Sequence, residues 1–227
     1  MAIAVGLALL DFVPVAFLAL GMFFLVQLVG RLEPRAYRMA LAGLLLVALG
    51  GAGRVISNLA YAALAREIPP LSAALYVFCG PGLALLSASL IRARGSAIGR
   101  PVVRDPWLAP TAISWFFLLA AFYLHSTTED ALWSDLLFSL AGVGYGLTCL
   151  AAAGLGWRRQ LHMAAALFVF AVAGLATTVA VRWFAPQSTL IQLFGEILNG
   201  FAQAAFAFAS WRVAAEYEAR VGPTASR

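Results

Sequence analysis

The sequence predicts an all-α fold: an integral membrane bundle of seven transmembrane helices, with the N-terminus outside and the C-terminus cytoplasmic. Three observations predict it. First, 63% of the 227 residues are hydrophobic and 11% are charged, with a mean hydropathy of +0.91. A soluble domain carries about 25% charged residues, and its core could not hide this much apolar surface. A bilayer can, because it solvates the outer faces of helices. Second, seven apolar stretches reach the ~20 residues needed to cross. Third, the arginines cluster on alternate connectors.

The stretches run over residues 3–30, 37–65, 70–92, 107–125, 131–156, 161–184 and 188–214. They make one domain, 1–214, followed by a short cytoplasmic tail, 215–227. The opening MAIAVGLALLDF has no basic leader and no small-residue cleavage site, so it reads as the first helix rather than a cleaved signal. Glu33-Pro34 ends helix 1, and Pro69-Pro70 opens helix 3. Arg94-Gly95-Ser96 closes helix 3, and Arg104-Asp105-Pro106 leads into helix 4. The polar run from His125 to Asp130 separates helices 4 and 5, and Pro186-Gln187-Ser188 precedes helix 7. Trp107, Trp133, Trp157, Trp183 and Trp211 fall at helix ends, where amphipathic rings sit at a membrane interface.

All fifteen basic residues are Arg; there is no Lys. Arg31, Arg35 and Arg38 lie in loop 1–2, and Arg92, Arg94, Arg100 and Arg104 in loop 3–4. Arg158 and Arg159 lie in loop 5–6, and Arg212, Arg220 and Arg227 at the C-terminus. The opposite side has Arg66 and Arg182 and is acidic around Glu129 and Asp130. The positive-inside rule therefore sets the orientation. The net charge of +5 is a topological anchor, and no nucleic-acid partner is expected. The expected location is a cell membrane, in the manner of a multi-pass protein of a bacterial inner membrane.

Ionisable groups at membrane depth are costly and point to function. Asp11, Arg54 and Glu196 each lie roughly 12–15 Å below the outer surface, counted at ~1.5 Å per residue. Asn58 is one turn above Arg54. Asn199 and Gln203 continue a polar stripe below Glu196, with Gln192 above it. Tyr76 and Cys79 on helix 3, and Thr177 and Thr178 on helix 6, reach a similar depth. Lipid cannot satisfy such a stripe, so it must face the bundle interior. Asp11, Arg54, Asn58, Tyr76, Glu196, Asn199 and Gln203 are thus the candidate ligand-binding residues. The plainer reading of the same residues is an ion pair that locks helices together. An arginine fork suits a carboxylate, phosphate or sulfate, and a second acid could carry a proton.

A shift of about 124 residues superposes helices 1–2 on helices 5–6: Asp11 meets Asp135, Arg35 meets Arg159 and Gly50 meets Gly174. With a gap, helix 3 matches helix 7, ending at Arg92 and Arg212. Three helices, a linker helix and three more in parallel form the pattern of some transporters. This layout resembles the microbial rhodopsins and the SWEET/PQ-loop transporters. Residues 189–196, TLIQLFGE, resemble the rhodopsin segment leading to a counter-ion acid, with Glu196 at that acid. Gly200 stands where rhodopsins carry the retinal lysine, so the absence of Lys excludes covalent retinal. Pro186-Gln187 lies in a loop, outside the place of a PQ motif.

No catalytic residue is assigned. HExxH, GxSxG, Walker and dinucleotide motifs are absent. His125 and His162 lie at opposite helix ends, and Cys79 and Cys149 have no metal spacing, so no metal or other cofactor is expected. Cys79-Gly80-Pro81-Gly82 reads as a hinge in helix 3, or as close packing. The expectation is a transporter of a small molecule, anionic if Arg54 binds it and proton-coupled if an acid titrates. Three other roles fit the same residues: a ligand sensor signalling through a membrane protein partner, a structural subunit of a membrane complex, and an intramembrane hydrolase. In each the bilayer is the first partner.

Overall fold

A computed structural model describes residues 6, 10–66, 68–99, 105–128, 132–184 and 189–221. Among them every regular element is helical. The order is α1 (Phe12–Leu32), a 3-10 turn (Pro34–Ala36), α2 (Tyr37–Leu64), α3 (Pro69–Ser96), α4 (Leu108–Thr127), α5 (Leu132–Arg158), α6 (His162–Phe184) and α7 (Thr189–Val221). Glu129, Asp130, Pro186-Gln187 and residues 222–227 lie outside the described residues, as do the side chains of Arg182, Trp183, Gln192 and Arg220.

Local chemistry sets the ends. Pro69 and Pro70 occupy the first turn of α3, where a missing N–H costs nothing. Ala65 takes a left-handed conformation (φ 49°) and closes α2. Gln160 does the same (φ 59°) in the turn between α5 and α6, where the Gly156 carbonyl accepts from the Arg159 and Leu161 N–H groups. Pro81 lies inside α3, and the helix continues through it.

Among the described residues six helices are long and apolar enough to cross a membrane: α1, α2 with its preceding turn, α3, α4, α5 and α6. α7 is the exception. It is the longest helix at 33 residues, but Gln192, Glu196, Asn199 and Gln203 interrupt its apolar character. It also runs to Val221, past the end at 214 that the sequence suggests, because its last turns are held. Val213, Ala214 and Tyr217 are buried. Arg159 stacks over the Tyr217 ring at 4.5 Å, and Arg31 pairs with Glu218 at 2.9 Å.

The helices pack with a repeated logic. α1 lies against α2, and α5 against α6; α2 lies against α3, and α6 against α7; α1 lies against α7, and α5 against α3. Exchanging helices 1-2-3 for 5-6-7 reproduces this pattern of neighbours. α4 stands outside it, packed on α3 and α5, and is the least buried of the six apolar helices.

Close approach depends on small residues. A Cβ on Gly43 would lie 2.6 Å from the Gly82 carbonyl oxygen, and one on Gly82 would lie 2.8 Å from that of Gly43. The two helices therefore touch backbone to backbone. In the other triplet, a Cβ on Gly174 would lie 2.7 Å from the Ala202 methyl. The helix 3–helix 7 match superposes Gly82 and Ala202, but their partners differ: the counterpart of Gly174 is Gly50, whose Cβ would meet Ala74, Phe78 and Cys79 instead of Gly82.

The core is one-sided. Fully buried apolar side chains gather toward the Arg-rich end: Met22, Leu25, Val26, Leu28 and Val29 of α1, Leu86 and Leu90 of α3, Ala152 and Leu155 of α5, Phe168 of α6, and Phe206 and Val213 of α7. Toward the far end α2, α3 and α5 stay packed, but Leu10, Val13, Leu190, Phe194 and Ile197 of α1 and α7 are exposed.

Gly43→Leu forces α2 and α3 apart and is expected to cost about 1–3 kcal/mol or more, as overpacking does. Gly142→Ala, where a Cβ would meet nothing within 4 Å, is expected to be neutral or stabilising by up to ~1 kcal/mol. Thermal unfolding in detergent, with both variants side by side, checks the contrast.

Candidate ligand-binding site

The far end of the bundle carries the charged candidates. Asp11 sits at the start of α1 and Asn58 in the upper half of α2. The Asn58 side-chain amide donates to Asp11 Oδ2 at 2.7 Å, linking α1 to α2. Arg54 lies one turn from Asn58 on α2. Asp11 and Arg54 are both half-buried. The arrangement is an acid held by one neutral donor, with a half-buried cation one turn along α2. It exists because α1 and α2 are neighbours and the two polar positions on α2 are four apart, on one face.

α7 supplies the second group. Gln203 is buried, 4% exposed. Its side-chain oxygen accepts from the Tyr145 hydroxyl of α5 at 3.2 Å, and its amide donates to Asn199 Oδ1 at 3.4 Å. Tyr145 packs against the Phe206 ring at 5.3 Å and is itself 2% exposed. These three residues form a hydrogen-bonded chain through the interior, from α7 to α5. Buried polar groups need such partners in an apolar medium.

Glu196 is half-buried and engaged within the protein. It also lines a groove of 340 Å³ between α1 and α7, with Leu10, Val13, Pro14, Phe17, Ile197, Gly200, Phe201 and Ala204. Glu196 has Asn199 three residues on and Gly200 four residues on, so on the helix surface it neighbours both. The acid thus stands at the edge between the groove and the interior chain Asn199–Gln203–Tyr145.

The candidates therefore fall into three places. Asp11, Arg54 and Asn58 come together across α1 and α2. Glu196, Asn199 and Gln203 run along α7, on the other side of α1; α2 and α7 each pack against α1 and contact one another at most marginally. Tyr76 stands apart, in an aromatic cluster with Trp133, whose ring also meets His125. Cys79 lies against the Val47 carbonyl, and both cysteines are buried and free. Among the described residues no group of three or more His, Cys, Asp or Glu side chains could hold a metal ion.

Sequence reasoning misses Tyr145 and Trp133. Tyr145 sits among Gly142, Gly144 and Gly146, a setting that reads as close packing. A phenol in the middle of an otherwise apolar helix is the available signal. Sequence reasoning also misses Glu33, which is 6% exposed and accepts from the Ser96 hydroxyl. That bond ties the α1–α2 turn to the end of α3.

The chain matches no protein-family model, no curated protein and no solved structure. The residues and their geometry alone carry the functional argument.

Interhelical hydrogen bonds between polar side chains in membranes are worth about 0.6 kcal/mol on average, and up to ~1.7. A double-mutant cycle on Asp11→Ala and Asn58→Ala is expected to give a coupling in that range. The cycle Tyr145→Phe with Gln203→Leu is expected to do likewise, while Tyr145→Phe paired with Asn58→Ala gives none. Unfolding free energies in mixed micelles measure all three.

Proposed function

We propose that this chain is a membrane carrier for a small molecule, built from two parallel three-helix repeats joined by α4. The observation that carries the reading is the repeated packing: α4 apart, each helix of the first triplet has the same neighbours as its counterpart in the second. Parallel repeats of this kind let one half rock against the other around a central site. The one-sided core supports it further, because a bundle locked at one end and looser at the other has somewhere to move.

In this reading all seven helices span the membrane, α7 included, since Glu196, Asn199 and Gln203 face neighbouring helices or the groove rather than lipid. The Arg-rich end is cytoplasmic and the N-terminus outside, as in a bacterial inner membrane protein. The open end then faces outward. Arg54 would bind an anionic group on the ligand, beside the Asp11–Asn58 pair. Glu196 is the second acid at this level, and its protonation would remove the charge at the groove edge before the bundle closes. No retinal, metal or other cofactor enters this scheme.

Two measurements test it. Single cysteines at Thr128 and Ile98, in a chain lacking Cys79 and Cys149, report topology with a membrane-impermeant maleimide on intact cells. Labelling of Thr128→Cys alone is expected; labelling of Ile98→Cys alone reverses the orientation. For transport, purified protein in liposomes is offered radiolabelled lactate, succinate, phosphate and sulfate under an imposed pH gradient. At least one anion is expected to accumulate, and Arg54→Gln is expected to lower its uptake at least tenfold. Absence of uptake for all four by folded wild-type protein contradicts an anion carrier.

A further inference from the structure

The two seams that join the triplets, α3–α5 and α1–α7, differ at both ends. At the far end a Cβ on Gly80 of α3 would lie 3.1 Å from the Leu137 carbonyl oxygen and 3.2 Å from the Leu140 side chain, whereas a Cβ on Gly200 of α7 would meet nothing within 4 Å. At the Arg-rich end the difference is one of charge. Arg31 of α1 meets Glu218 of α7 at 2.9 Å, so the α1–α7 seam carries its own counter-charge. Arg94, at the end of α3, has no acidic partner among the described residues.

Arg94 is nevertheless held in place. The heavy atoms nearest to a Cβ on Gly154 of α5 would be Arg94 Cζ at 2.7 Å, Nη1 at 2.8 Å and Nε at 3.0 Å. The guanidinium therefore lies on the α5 backbone, in a space that a side chain at 154 would take. Gly43 admits the backbone of another helix; Gly154 admits an arginine. A planar guanidinium already seated loses less freedom when it binds an anion.

The surroundings continue the pattern. Trp157 and Arg158 follow Gly154 at i+3 and i+4, on the same face of α5, and both are exposed. Arg158 can bring a second guanidinium to the same point, beside an indole suited to headgroup depth. Away from the rim the open side chains are apolar. Leu150 and Leu147 of α5, at i−4 and i−7 from Gly154, are 61% and 41% exposed, and Ile91 of α3, at i−3 from Arg94, is 49% exposed. α4 packs on the same two helices but leaves these three uncovered. The surface is thus a cationic head region that continues as an apolar track into the hydrocarbon. Guanidinium forks take phosphate bidentately, and basic pockets between transmembrane helices take anionic headgroups. A soluble anion would use the arginines and leave the track empty.

We propose that the Arg-rich end of the α3–α5 seam binds an anionic phospholipid, with its phosphate on Arg94 and Arg158 and an acyl chain along Leu150, Leu147 and Ile91. This site is distinct from the Asp11–Asn58 pair and Arg54 at the far end of the bundle. It depends neither on the chain being a carrier nor on which leaflet the Arg-rich end occupies.

The test uses trace phosphatidylglycerol and trace phosphatidylcholine that carry the same diazirine-bearing acyl chain. Purified full-length protein in phosphatidylcholine nanodiscs, one chain per disc, is irradiated with each, and the labelled peptides are mapped by mass spectrometry. The phosphatidylglycerol probe is expected to label residues 88–94 and 147–157 at least fivefold more than the phosphatidylcholine probe, as arginines at a membrane surface allow, and both are expected to label the α1–α7 seam alike. Arg94→Gln is expected to lower phosphatidylglycerol labelling about tenfold, in line with the loss of a charged hydrogen bond. Arg31→Gln removes an equal charge from the other seam and is expected to leave that labelling unchanged. Gly154→Ala keeps every charge but displaces the guanidinium, and is expected to lower the labelling at least threefold without lowering the thermal unfolding temperature, since alanine favours helix. Equal labelling by the two probes, or equal losses in Arg94→Gln and Arg31→Gln, overturns the proposal in favour of general attraction to a basic rim. Unchanged labelling in Gly154→Ala overturns the seated arginine as the head site. Loss of the phosphatidylglycerol preference on adding millimolar inorganic phosphate, but not sodium chloride of the same ionic strength, overturns the lipid in favour of a soluble anion.

Discussion

The backbone contact between Gly43 and Gly82 is the constraint on which the rest of the bundle depends. Helices in lipid have no hydrophobic force drawing them together, because hydrocarbon tails are as apolar as leucine. They associate through close van der Waals contact and a few polar bonds, and the closest contact needs residues without side chains. Gly43 and Gly82 bring α2 and α3 to touching distance, and Gly174, facing the Ala202 methyl, lets α6 and α7 close up. Gly21, whose Cβ would lie 2.5 Å from the Phe206 ring, seats that ring against α1. Phe206 in turn meets Tyr145 and Phe168, so one aromatic side chain joins α1, α5, α6 and α7.

Packing and polarity divide along the membrane normal as a consequence. The half near the Arg-rich loops is filled by Leu25, Leu86, Leu90, Leu155 and Phe168, and is tied at its rim by Glu33–Ser96 and Arg31–Glu218. The last of these is exposed and worth only about 0.2–1 kcal/mol, so packing rather than charge holds this end. The other half stays shut along α2, α3 and α5 but parts between α1 and α7. Polar side chains collect where the packing loosens. Asp11 and Asn58 satisfy one another there, Gln203 bridges Asn199 to Tyr145 at the boundary, and Glu196 stands on the edge of the opening.

Much of this is legible in the sequence. Apolar length, proline punctuation and arginine clustering give helices that agree with the structure to within a few residues from α2 through α6. The end of α7 is not legible, because Glu216, Tyr217 and Glu218 read as a polar tail, whereas Arg159 and Arg31 reach across to hold Tyr217 and Glu218 in helix. The pairing of Asp11 with Asn58 is partly visible from their depths. Depth says nothing about azimuth, though. Tyr76, at a suitable level, turns toward Trp133 instead, and Glu196 faces a groove on the far side of α1 from Arg54. The opening between α1 and α7 is out of reach for the same reason: Gly80 and Gly200 look alike in sequence, and only the packing of their neighbours tells a closed seam from an open one.

The central claim is that the α1–α7 seam moves at its open end while the Arg-rich end stays locked. Double electron–electron resonance on spin-label pairs measures this directly, in a chain whose two buried cysteines are replaced by alanine. One pair, at Leu10 and Phe201, spans the seam at its open end; the other, at Phe23 and Trp211, spans it near the Arg-rich end, and all four positions are exposed. The account predicts a broad or two-peaked distance distribution for the first pair and a single narrow one for the second. Equally narrow distributions for both pairs, unchanged between detergent and nanodiscs, would contradict it and make the groove a static feature of the bundle.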